Sequence, residues 1–134
     1  MKKIIISFTV IFFMLVMSIS VRASSTEKLI YLPSNQIWTD RTDNAGQRTG
    51  NYSYTEVRCH SVYPESGFDT FSKMQVRLSD MYHNIISNTY VLTEGSSFTK
   101  VYLLEGSLSV NDIYYEFRGN SNSSAYAVVT YKDK

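Results

Sequence analysis

Cysteine is almost missing from this chain: Cys59 stands alone among 134 residues. No intrachain disulfide can form, so the core must hold without one, even in an oxidising compartment. Cys59 shares one side of an expected strand with Val57, opposite Glu56 and Arg58. That is the setting of a small buried hydrophobe rather than of a nucleophile or an interchain link. Histidine is nearly as scarce. His60 and His83 are the only two, and neither has a His, Cys or Glu at the spacing of a zinc site. There is no Gly-x-Ser-x-Gly elbow, and a Ser-His-Asp set could be assembled only by a geometry that sequence does not fix. Asp40, Asp43 and Asn44 precede Gly46 without the alternating spacing of an EF-hand, and turn formation accounts for them more simply than calcium does. Glu94 and Glu105, each followed by glycine, read as turn residues rather than as the paired carboxylates of a glycosidase. No catalytic residue, metal or cofactor is assigned.

Charge of one sign is also lacking. Met1-Lys2-Lys3, the apolar run Ile4 to Met17, and a short polar stretch ending in Val21-Arg22-Ala23 follow the three-part order of a secretory signal peptide, with cleavage expected after Ala23. The apolar run falls short of the roughly 20 residues of a membrane-spanning helix, which disfavours an uncleaved anchor. Residues 1–23 are thus expected to be removed, and residues 24–134 to form a single secreted β domain. Loss of Lys2, Lys3 and Arg22 takes the thirteen basic residues to ten against twelve acidic ones, a mature net charge of −2. Such a surface offers nothing to phosphate backbones or anionic lipid, so nucleic acid and stable membrane insertion are not expected. No cysteine near the cleavage point could accept a lipid, and the Thr130 to Lys134 end carries no hydrophobic tail. The mature chain is expected to be released, or held at the surface only by what it binds.

Long helical periods are missing as well. Short runs rich in Val, Ile, Thr, Tyr and Phe recur instead at 29–32, 37–42, 52–63, 71–78, 85–93, 98–104, 113–118 and 125–131. Turn-forming stretches separate them, among them Asn44-Ala45-Gly46, Pro64 to Gly67, Glu94 to Ser97, Glu105 to Ser107 and Gly119 to Ser124. The expected fold is all-β, a small antiparallel β-sandwich or barrel-like domain of about eight short strands. One segment has a second reading. Met74, Val76 and Leu78 alternate with Lys73, Gln75, Arg77 and Ser79 as in a strand, with Asp80 to Asn84 as the turn of a hairpin. Phe71, Met74, Leu78, Met81 and Ile85 also recur at helical spacing behind a capping box at Ser66 to Asp69. The alternation favours the strand; the other outcome is an α+β fold with one helix near 70–86. The echo of Leu92-Thr93-Glu94-Gly95 in Leu104-Glu105-Gly106 predicts two turns in which glycine takes backbone angles that other residues avoid.

What the chain has in plenty is tyrosine, eleven in all and none in the signal segment. Tyr52 and Tyr54 fall on the strand side of Glu56, Arg58 and His60, while Tyr114 joins Glu116 and Arg118 opposite Ile113, Tyr115 and Phe117. Half-buried tyrosine is ordinary in strands. Rings beside charged groups also suit contact with sugars or proteins, through flat apolar area and a phenol hydrogen bond. Trp38, Tyr52, Tyr54 and Tyr114 are therefore the candidate ligand-binding residues. The expected function is a secreted, non-catalytic binding or interaction module, its partner a cell-surface glycan or protein. A toxin-like or antimicrobial exported protein and a small secreted hydrolase are the alternatives.

Overall fold

A computed structural model of the chain describes residues 25–48 and 52–133. The signal segment and the expected mature start at Ser24 lie outside the described residues. Eight strands follow in order: β1 (Ser25–Leu32), β2 (Ala45–Gln47), β3 (Tyr54–Pro64), β4 (Lys73–Ser79), β5 (Tyr90–Thr93), β6 (Thr99–Tyr102), β7 (Asp112–Gly119) and β8 (Ala125–Lys132). They form two four-stranded antiparallel sheets, β1-β8-β3-β6 and β2-β7-β4-β5, packed as an all-β sandwich. Only β4 and β5 are consecutive within one sheet; every other connection crosses to the opposite layer, so each strand buries its apolar side against the other sheet.

The inward set follows the pleat. Met74, Val76 and Leu78 of β4 and Ile113, Tyr115 and Phe117 of β7 are fully buried, as are Val57 and Cys59 of β3 and Ala127 and Val129 of β8 across the core. Lys73 to Ser79 is thus a strand, and the described residues contain no α-helix. The Asp80 carboxylate makes the turn that follows: it accepts from the backbone of Tyr82 and Asn84 at 2.8 and 2.9 Å and from the Asn84 amide at 2.8 Å. Those bonds, the one from the Asn84 side chain foremost, hold the Asp80 carboxyl below its ordinary range.

Three local expectations change. Residues 37–42 do not form a strand. Thr39 alone pairs with β7, its backbone N–H donating to the Phe117 carbonyl at 2.8 Å and its hydroxyl accepting from the Phe117 N–H at 3.0 Å, and Arg41–Asn44 then turns as a 3-10 helix. The Ala45-Gly46 stretch expected as loop is instead the edge strand β2. Gly46 serves close packing there rather than a turn, since a Cβ would lie 2.5 Å from Asp133 Oδ1 and 2.8 Å from Tyr115 Cε2. Of the two expected glycine turns, Gly95 does take a left-handed φ of 70°, whereas Gly106 lies in the 3-10 turn Glu105–Ser107 and needs no such angle.

Candidate functional site

The tyrosines gather on the outer face of the β1-β8-β3-β6 sheet. At one end Tyr31 of β1, Tyr126 of β8 and Tyr63 of β3 stand in direct register across three adjacent strands. Their ring centroids are 5.4 Å apart for Tyr31 and Tyr126 and 5.9 Å for Tyr63 and Tyr126. At the other end Tyr54 of β3 faces Tyr102 of β6 at 5.5 Å, and Tyr52, just before β3, meets Tyr54 edge-on at 5.7 Å. Both clusters reach solvent: Tyr31, Tyr63, Tyr52 and Tyr102 are 47%, 37%, 52% and 46% exposed.

An irregularity in β3 makes this layout possible. Cys59 pairs with Val129 and Ser61 with Val128, leaving His60 as the extra residue of a β-bulge. Before the bulge Thr55, Val57 and Cys59 face inward; after it Val62 does, so Tyr63 is turned out onto the register of Tyr126. The turn after β5 clamps the bulge. The Glu94 carboxylate accepts from the Val62 N–H at 2.8 Å, and the Gly95 N–H donates to the Cys59 carbonyl at 3.0 Å. Glu94 is therefore a structural carboxylate. Cys59 is buried beneath it, and desolvation pushes its thiol up to about 11, so it stays protonated and unreactive.

Trp38 and Tyr114 lie on the other outer face, that of the β2-β7-β4-β5 sheet, where both are half-buried and lie against arginines. The Arg77 and Arg118 guanidinium carbons lie 4.2 and 4.5 Å from the Trp38 ring centroid. Arg77 is fixed on Glu116 through two contacts of 2.7 Å, and Arg118 donates to Gln75 at 2.7 Å. Arg41 stands 5.1 Å from the Tyr114 centroid and donates to the Asp80 carbonyl at 2.8 Å. The structure thus brings Tyr52 and Tyr54 together and places Trp38 and Tyr114 on the opposite side of the sandwich.

Tyr31, Tyr63, Tyr102 and Tyr126 are the residues that sequence reasoning missed. Alternation signalled three of them, because Tyr31 sits between buried Ile30 and Leu32, Tyr102 between buried Val101 and Leu103, and Tyr126 between buried Ala125 and Ala127. Tyr63 carried no such signal, since a regular strand from Thr55 would point it into the core.

His60 meets both a hydroxyl and a carboxylate. Thr130 Oγ1 lies 2.7 Å and Glu27 Oε2 3.6 Å from the same imidazole nitrogen, Nε2. A hydrolytic triad needs the carboxylate on one ring nitrogen and the nucleophile on the other, so this cluster ties β1, β8 and β3 together without forming a relay. The Asp40 carboxylate is turned onto the 3-10 helix as its cap, accepting from the Thr42 N–H and hydroxyl at 2.9 and 2.8 Å, which lowers its pKa. Among the described residues no three His, Cys, Asp or Glu side chains converge as a metal site would require. No protein-family model, curated protein or solved structure matches this chain.

Proposed function

We propose that the chain is exported, loses residues 1–23, and acts outside the cytoplasm as a non-catalytic binding module whose contact surface is the outer face of the β1-β8-β3-β6 sheet. One observation carries this reading: six tyrosines stand on that face in two clusters, with most of their rings open to solvent and with hydrogen-bonding side chains between them. Tyrosine offers large contact area at low entropic cost, together with a directed phenol, and it is enriched at interface hot spots. The charged side chains of the face are evenly mixed. Glu27, Glu56 and Glu65 accompany Arg58, Lys100 and Lys132, which suits a glycan or a protein of mixed charge better than a polyanion.

The two outer faces supply the test. Retention of the purified protein on cell-wall glycan and on whole cells should fall about tenfold for Tyr54→Ala and for Tyr102→Ala, with folding confirmed by circular dichroism. Tyr114→Ala, on the opposite face, should leave retention unchanged. Equal loss from both faces, or no retention of the wild type by either material, would refute the assignment.

A further inference from the structure

Four half-buried aromatic rings of this molecule carry a cation of their own. Arg77 and Arg118 both lie over Trp38, and Arg41 lies over Tyr114. Lys100 Nζ is 4.5 Å from the Tyr54 centroid, and Lys132 Nζ is 3.9 Å from that of Phe98. The Tyr31–Tyr126–Tyr63 ladder differs: among the described residues no lysine or arginine stands over any of its three rings. What stands beside it is a carboxylate. Glu65 follows the end of β3, where its backbone N–H donates to the Ser124 carbonyl at 3.2 Å. Its side chain reaches back across β8, with Oε2 accepting from Ser124 Oγ at 2.6 Å and from the Tyr31 hydroxyl at 3.3 Å. Those partners are neutral hydroxyls, and among the described residues no cation is paired with Glu65.

Three adjacent π faces and an uncompensated carboxylate are the complement of an organic cation. From this we infer that Tyr31, Tyr63, Tyr126 and Glu65 form a binding site for a quaternary ammonium group, an inference that rests on the binding-module reading and names the chemistry one end of its face recognises. The site is open, so a bound cation keeps part of its hydration. A primary ammonium is compact and strongly hydrated and loses more than it gains on such a surface. A methylated ammonium is weakly hydrated, and its methyl groups pack on the rings while its charge faces Glu65. At the other end Lys100 already lies over the Tyr54 ring, so that cluster should not bind it.

The experiment is a titration of the purified protein with tetramethylammonium chloride, with n-butylammonium and sodium chloride as controls at equal ionic strength, followed through the tyrosine ring signals by NMR. Saturable shifts are expected at Tyr31, Tyr63 and Tyr126 and not at Tyr54 or Tyr102, with n-butylammonium binding more weakly. Glu65→Gln, which keeps the hydroxyl contacts, and Tyr126→Leu should each weaken binding by about fivefold or more. Shifts that do not saturate, equal binding of n-butylammonium, or full affinity in Glu65→Gln would overturn the site. Cell retention measured on the same variants separates the two readings. Ammonium binding that fails while wild-type retention persists overturns this inference alone, and retention that fails while ammonium binding persists overturns only the proposed cell-surface contact.

Discussion

Asp133 lies near the end of the chain, yet its carboxylate is buried between the sheets. Oδ1 accepts from the Tyr115 hydroxyl at 3.0 Å and Oδ2 from the Gln47 N–H at 3.1 Å. Thr55 Oγ1 lies against the same phenol and donates to the Lys132 carbonyl at 2.6 Å. Burial outweighs these bonds and raises the Asp133 carboxyl above its ordinary 3.8, and burial with the neighbouring Asp133 charge pushes the Tyr115 phenol well above 10.0. Because the folded state holds the Asp133 proton more tightly than the unfolded one, this contribution to stability is fully present below the unfolded pKa and is lost as pH rises through the raised value. An asparagine can keep both contacts without a charge, its amide oxygen accepting from the Gln47 N–H and its NH2 donating to the Tyr115 oxygen. In urea unfolding between about pH 4 and pH 7, Asp133→Asn should therefore gain stability relative to the wild type as pH rises. A constant difference across that range would assign the pH dependence to other groups.

At the scale of the element, strand β4 offers the sharpest contrast. Met74 and Leu78 are fully buried, while Gln75 points outward between Arg118 and Asn120. Met74→Asp or Leu78→Asp should cost more than about 3 kcal/mol in urea unfolding, because an unpaired charge enters the core, whereas Gln75→Asp should cost under about 1 kcal/mol. Comparable losses at all three positions would contradict the strand faces. This strand was legible in the sequence because its alternation is unbroken. Tyr63 was not, because the extra residue at His60 reverses the faces and is fixed by Glu94, more than thirty residues further on. Gly46 misled for a related reason: its lack of a side chain answers to Asp133 and Tyr115, which no local window includes. Edge strand β1 shows a different device. Lys28 points to the inner side and donates to the Asp43 carbonyl, and an inward charge of this kind discourages pairing with a stray strand.

For the whole molecule, strand content followed from composition and turn spacing, but the choice of sandwich over barrel and the pairing order did not, since nothing local specifies that β8 lies between β1 and β3. The proposed cleavage site lies next to that pairing in sequence. Cleavage after Ala23 would leave Ser24 just ahead of Ser25, the residue that opens β1 opposite Lys132. N-terminal sequencing of protein from culture fluid should return Ser24 or a residue next to it, and full-length chain confined to membranes would refute cleavage. The placement of β8 also orders events in time. Residues 125–132 leave the ribosome after every other described strand, yet they fill an interior position of their sheet and pair with β1 on one side and β3 on the other. Until they arrive, the first strand has no neighbour and the sandwich cannot close. On the proposed export route the nascent polypeptide would thus stay pliable until β8 is present, the condition in which a narrow export channel can accept it.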